Sequence, residues 1–150
     1  TRQFPKGFLW GAATASHQVE GNTTNDWSAW EKANAKRLAA KASSEFGYLP
    51  GWTEKFGAEA AHPKNYISGI ACDHYHRYEE DFENAKELNH SAHRFSIEWS
   101  RIEPEEGNFD EKELAHYQDV VRALRARNIE PFVTLWHWTL PLWLAREGGI

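Results

Sequence analysis

Apolar and polar positions change period several times along the chain. Phe8 to Thr14 is a short apolar run and predicts a first strand. A connection from about Ala15 to Cys72 follows. Ordinary connections are a few residues long, so this one is expected to be functional or to hold small elements of its own. Asp26 to Ser43 suits a helix, because Ala, Lys and Glu dominate after Trp30. Phe46 to Gly69 mixes Gly, Pro and aromatics and reads as an irregular lobe.

Beyond the lobe the periods are cleaner. Asp73 is placed to cap a helix whose stripe is Tyr75, Tyr78, Phe82, Ala85 and Leu88, with Asn89 as its stop. Ser91 to Trp99 predicts a second strand, with Phe95, Ile97 and Trp99 on one face and Arg94, Ser96 and Glu98 on the other. A charged inward face belongs to a site more than to a plain core. Asp110 and Glu113 have capping-box spacing ahead of a stripe of Leu114, Tyr117, Val121 and Leu124, which Asn128 ends. Glu130 to Trp136 predicts a third strand, and Pro141 suits the first turn of a following helix.

Strand, long loop, helix, strand, helix, strand, start of helix makes two βαβ crossovers and implies a parallel sheet. Three strands leave two unpaired edges, so the chain reads as the opening third of a barrel. Composition narrows the function. The net charge of −5 excludes a basic nucleic-acid footprint. Hydrophobic residues at 41% exclude disorder. No apolar run reaches the roughly 20 residues of a membrane span. The N-terminus has no signal-peptide pattern, and Cys72 stands alone, so a reduced, cytoplasmic setting is expected. With no Met in the chain, Thr1 is not an initiator. Either a residue was removed or the sequence begins inside a longer polypeptide.

Candidate chemistry concentrates in Leu135-Trp-His-Trp-Thr-Leu-Pro141, at the handover from the third strand to a helix. Indoles stack on sugar rings and an imidazole hydrogen-bonds hydroxyls. The alternative is a buried aromatic cluster with a satisfied histidine. Trp27 and Trp30 carry the same choice between cleft lining and core. Asp73, His74 and His76 beside Cys72 suggest a metal, but a helix puts the two histidines on different faces, so no metal is expected. Asn22-Thr-Thr24 and Asn89-His-Ser91 match the glycosylation pattern and are expected to be silent.

Three segments resemble one family. Phe4-Pro-Lys-Gly-Phe-Leu-Trp-Gly-Ala-Ala-Thr-Ala-Ser-His-Gln-Val-Glu-Gly21 is similar to the N-terminal signature of the glycoside hydrolase family 1 β-glycosidases. His93-Arg-Phe-Ser-Ile-Glu-Trp-Ser-Arg101 and Thr134-Leu-Trp-His-Trp-Thr-Leu-Pro141 resemble its second- and third-strand motifs. The resemblance implies that residues 1–150 form the N-terminal segment of a single (β/α)8 TIM barrel, about strands 1–3, with an irregular lobe at about 15–72. It implies that Gln18 and His137 hydrogen-bond the glycone, with Trp138 beside them, and that Arg94 supports the nucleophilic carboxylate. Arg94 as a structural ion pair and Gln18 as a loop-stabilising amide are the plainer readings. Thr139 departs from the family, which usually has Asp there.

Retaining hydrolysis needs two carboxyl groups about 5–5.5 Å apart. The family carries them in an Asn-Glu-Pro run and a Glu-Asn-Gly run, and neither occurs here. Glu83-Asn84 falls inside a helical stripe, and Glu98 and Glu103 are not family catalysts. The expected function is thus β-glucosidase-like hydrolysis with retention. This segment supplies substrate contacts, the remainder of the barrel comes from the same or another chain, and no cofactor is implied. The rival is a non-catalytic truncated or split fragment that binds sugar or pairs with a complementary chain. A third reading, another sugar-active barrel, would have Gln18 turned away from the cleft.

Overall fold

The computed structural model describes residues 3–149. Its sheet has three parallel strands in the order β1-β2-β3: β1 Gly11–Ala13, β2 Ala92–Ser96 and β3 Glu130–Thr134. Each is shorter than its apolar run. Around β1, pairing continues only through the Trp10 carbonyl, which accepts from the Ser91 and Ala92 amides, and the Thr14 amide, which donates to the Arg94 carbonyl. Gly11 permits that approach: a Cβ there would lie 1.9 Å from the Ala92 carbonyl oxygen. Trp99 is not in β2 as its alternation suggested. It opens a short helix, α5 (Trp99–Ile102), while β3 stops before Trp136.

Helices α4 (His74–Glu87) and α6 (Glu111–Ala126) form the two crossovers. With β2 they enclose a core of Phe82, Phe95, Tyr117, Val120, Leu124 and Ile129. The α4 stripe ends at Ala85. Leu88 lies past the last helical residue and is 71% exposed. Asp73 precedes α4 but does not cap it. Its backbone is left-handed (φ 55) where capping needs extended geometry, and its carboxylate bonds His76 Nδ1 instead. Asp110 does cap α6, accepting from the Lys112 and Glu113 amides. The box is one-sided, because the Glu113 carboxylate accepts from the Tyr75 hydroxyl. On α6, Val120 and Ala123 are buried with Tyr117 and Leu124, whereas Leu114 and Val121 are only partly covered.

The long connection holds more helix than its composition suggested. After a single turn, α1 (Ser16–Val19), comes α2 (Asp26–Phe46), opened by a full capping box between Asn25 and Ser28. The segment read as an irregular lobe contains α3 (Trp52–Ala60) and a 3-10 turn, Pro63–Tyr66. Gly51, left-handed at φ 70, turns the chain into α3, where Glu, Lys and Ala outweigh one Gly. A final short helix, α7 (Leu142–Arg146), follows Pro141 at its N-cap. No described helix is long and apolar enough to cross a membrane. Phe132 and Val133 on β3, and Leu135 just beyond it, are exposed.

Candidate active site

Strand parity builds the site. Phe95 points into the helical core, so Arg94 and Ser96 point to the other face of the sheet. Arg94 Nε donates to Thr134 Oγ1 at 2.9 Å on the neighbouring strand, and its Nη2 meets His137 Nδ1 at 3.0 Å. A guanidinium only donates, so His137 Nδ1 is the acceptor and the ring proton sits on Nε2. That leaves an N–H donor on the half-buried imidazole, aimed away from Arg94. Trp138 is in the left-handed region at φ 74 and is 67% exposed. Such a backbone costs on the order of 1–3 kcal/mol in a bulky residue and is concentrated at functional sites. Trp136 anchors the turn by donating from its indole to the Thr139 carbonyl at 3.1 Å. Trp136, His137 and Trp138 line a hollow of about 280 Å³.

The expected residues are brought together in part. Arg94 and His137 are directly bonded, and Trp138 adjoins His137 in sequence. Gln18 is exposed on α1, just past the end of β1, and takes no part in the Arg94–His137 bonding. Trp27 and Trp30 are exposed beside a hollow of about 640 Å³ and are not core residues. Glu83 and Asn84 lie within α4. Glu103 accepts from the Trp99 indole at 2.7 Å and the Gly107 amide at 2.8 Å. His74 Nδ1 bonds Asp81 while His76 bonds Asp73, so the two rings serve different carboxylates.

Two polar networks that sequence reasoning missed hold these parts in place. In the first, Glu98 is 0% exposed and accepts from Ser16 Oγ at 2.9 Å, Ser100 Oγ at 2.8 Å and Thr139 Oγ1 at 3.3 Å. The Glu98 amide donates to the Tyr117 hydroxyl, which donates to Glu20, itself bonded by Arg101 Nε at 2.9 Å. Burial pushes the Glu20 carboxyl up to about 7, against the pull of Arg101 and Tyr117. In the second network, His17 bonds Thr23 and Glu31, and Glu31 accepts from the Ser68 amide and hydroxyl. The long connection is closed by that knot. It is clamped to the far side of the site where the Asp26 amide donates to the Leu140 carbonyl and the Leu140 amide to the Asp26 carboxylate.

Comparison with known proteins shows the family. The family model for glycosyl hydrolase family 1 matches residues 1–150. A 1,4-beta-D-glucan glucohydrolase of Thermotoga neapolitana is 39% identical over 153 residues, covering 99% of this chain and 31% of the relative. Beta-glucosidase A of Acetivibrio thermocellus is 37% identical over 150 residues, covering 97% of this chain and 29% of that protein. The solved beta-glycosidase from Pyrococcus horikoshii superposes with a TM-score of 0.74 at 39% identity, over 98% of this chain and 28% of that structure. The chain thus spans about 30% of the length of the relatives it matches. It belongs to glycosyl hydrolase family 1, and its three strands are the opening part of that family's (β/α)8 barrel.

Proposed function

We propose that this chain supplies the glycone-contacting part of a retaining β-glycosidase of β-glucosidase type. The observation that carries the reading is the state of Arg94. Its guanidinium gives two of its donors to neutral acceptors, Thr134 and His137, and among the described residues no carboxylate pairs with it. An arginine held this way on the face of β2 opposite the helical core is ready for a carboxylate from outside this segment, which it would keep ionised and orient. The nucleophile and the acid/base group both come from further along the barrel, in the same or a second chain. His137 donates from Nε2 to a ring hydroxyl, Trp138 offers an indole face to the sugar, and the exposed Gln18 carboxamide bonds adjacent hydroxyls. The substrate is a β-glycoside or oligosaccharide, and the chemistry calls on no metal or organic cofactor.

The test is a panel of aryl β-glycosides on the full-length protein, with His137→Ala beside the parent. Hydrogen bonds that strengthen toward the transition state are worth on the order of 2–4 kcal/mol, so His137→Ala should lower kcat/KM about 30- to 1000-fold. A parent that cleaves none of the panel would refute the reading. Unchanged kinetics in His137→Ala would make that residue structural.

A further inference from the structure

Among the described residues, Glu98 is the one fully buried carboxylate that meets no cation and is satisfied by hydroxyls alone. Those hydroxyls come from the ends of all three strands: Ser16 after β1, Ser100 after β2 and Thr139 after β3. Two of them lie two residues from a proposed glycone contact, Ser16 before Gln18 and Thr139 after His137. Ser96 draws the β1 end closer still, since its Oγ accepts from the Ser16 amide at 2.8 Å. Thr139 Oγ1 is 3.3 Å from both Glu98 oxygens, so it donates into the middle of the carboxylate.

On the functional reading above, we propose that Glu98 is a positioning residue for the glycone subsite. It fixes the strand-end segments that carry Gln18, His137 and Trp138. An ionised carboxylate only accepts, so it can satisfy several hydroxyl donors at once. A second carboxylate at position 139 would face Glu98 at contact distance in a site closed to water, and the two could not both ionise. Threonine there makes the position a donor, and the carboxylate is delivered from the end of β2. Glu20, reached through the Tyr117 hydroxyl, is matched by Arg101, and Asp26 accepts from the Leu140 amide beside Thr139.

The reasoning makes the carboxylate movable. Glu98→Ala in the full-length protein should weaken glucose as a competitive inhibitor about tenfold and lower kcat/KM on an aryl β-glucoside comparably. Thr139→Asp alone should be impaired, because it sets two carboxylates against each other. Glu98→Ser combined with Thr139→Asp restores one carboxylate facing hydroxyl donors and should return glucose inhibition to within about threefold of the parent. Glu98→Gln keeps the shape and carries the measurement if the alanine variant does not fold. A folded Glu98→Ala or Glu98→Gln with parental glucose inhibition would overturn the proposal, as would a double variant no better than its singles. A parent that hydrolyses no β-glycoside overturns the functional reading and this proposal with it. An active parent whose Glu98 variants are normal overturns this proposal alone.

Discussion

His93 gives the sharpest test of the packing between sheet and helices. The side chain leaves β2 on the helical face, is 6% exposed and packs edge-on against Phe82 at 5.3 Å. Its Nε2 lies 3.3 Å from Thr14 Oγ1, while Nδ1 is buried with no hydrogen-bond partner. Burial pushes the imidazole down from 6.5 to about 4, and repulsion from His74 and His90 adds to this against a smaller pull from Asp81. In the unfolded chain the ring titrates near its ordinary value of about 6.5. Between those values the unfolded state binds more protons than the folded one. His93 therefore costs nothing above about pH 6.5, and stability falls as pH drops toward about 4, where the native ring protonates too. The drop from 6.5 to about 4 corresponds to about 3 kcal/mol in full, of which about 2 kcal/mol is already lost at about pH 5.

Other groups titrate in the same range, so the measurement has to be a difference. His116 is pushed to about 4 by burial and acts with the same sign. Glu20, pushed up to about 7, acts with the opposite sign and loses stability as pH rises. Thermal melts of the parent and His93→Gln, from about pH 7.5 to about pH 4.5 at fixed salt, cancel both contributions. The parent should lose Tm on acidification faster than the variant, and the His93 ring followed by NMR should stay neutral at about pH 5. A parent–variant difference that does not change with pH, or a ring that titrates near about 6.5, would refute the reasoning.

Leu124, 0% exposed at the centre of the core, should cost about 2–5 kcal/mol on substitution by alanine, read as a fall in Tm. Gly11→Ala should prevent β1 from pairing with β2, because its Cβ would meet a backbone oxygen, and should yield insoluble or poorly cooperative protein. Expressed alone, residues 1–150 should release no aglycone from an aryl β-glucoside, since neither carboxylate motif of the family occurs in them.

Local pattern was a good guide where burial is one-sided and a poor one where tertiary contacts decide. The parity of β2 was legible because Phe95 and Arg94 face such different surroundings. The stops at Asn89 and Asn128 were legible because both adopt left-handed backbone, at φ 60 and 58. The helix at Trp52–Ala60 was hidden by its flanking glycines and aromatics, which suggested turns. Strand lengths were overestimated because an apolar run does not reveal where pairing stops. The site was half legible. Arg94 and His137 stand on motifs, but Thr134 is forty residues from Arg94 and Ser16 is eighty-two from Glu98. No periodicity within a strand or helix reports a bond across such a distance. Thr139 was visible only as a departure from the family, and its partner emerged from the fold.

What this chain satisfies by itself, set against what it leaves open, is itself an argument about function. Arg77, Arg101, Arg122, Arg125 and Arg127 each meet a carboxylate within the chain. Glu98, Glu103 and Glu31 each collect several donors. The polar wiring beneath the strand ends is thus nearly closed. Among the described residues, two sets of open groups bear on the function. One is apolar: Phe132 and Val133 on β3, Leu135 just beyond it, and the Phe4, Phe8 and Trp10 cluster before β1, all exposed. The other is polar and sits at the mouth: the Arg94 guanidinium without a carboxylate, the His137 Nε2–H, the Gln18 carboxamide and the Trp138 face. A segment evolved only to fill a barrel wall would have no reason to leave a cation and an indole unmatched on the side facing the strand ends. The unmatched groups are those that a sugar ring and an incoming carboxylate would satisfy together. On the proposed function, their complement lies in the remaining strands of the barrel and in the substrate.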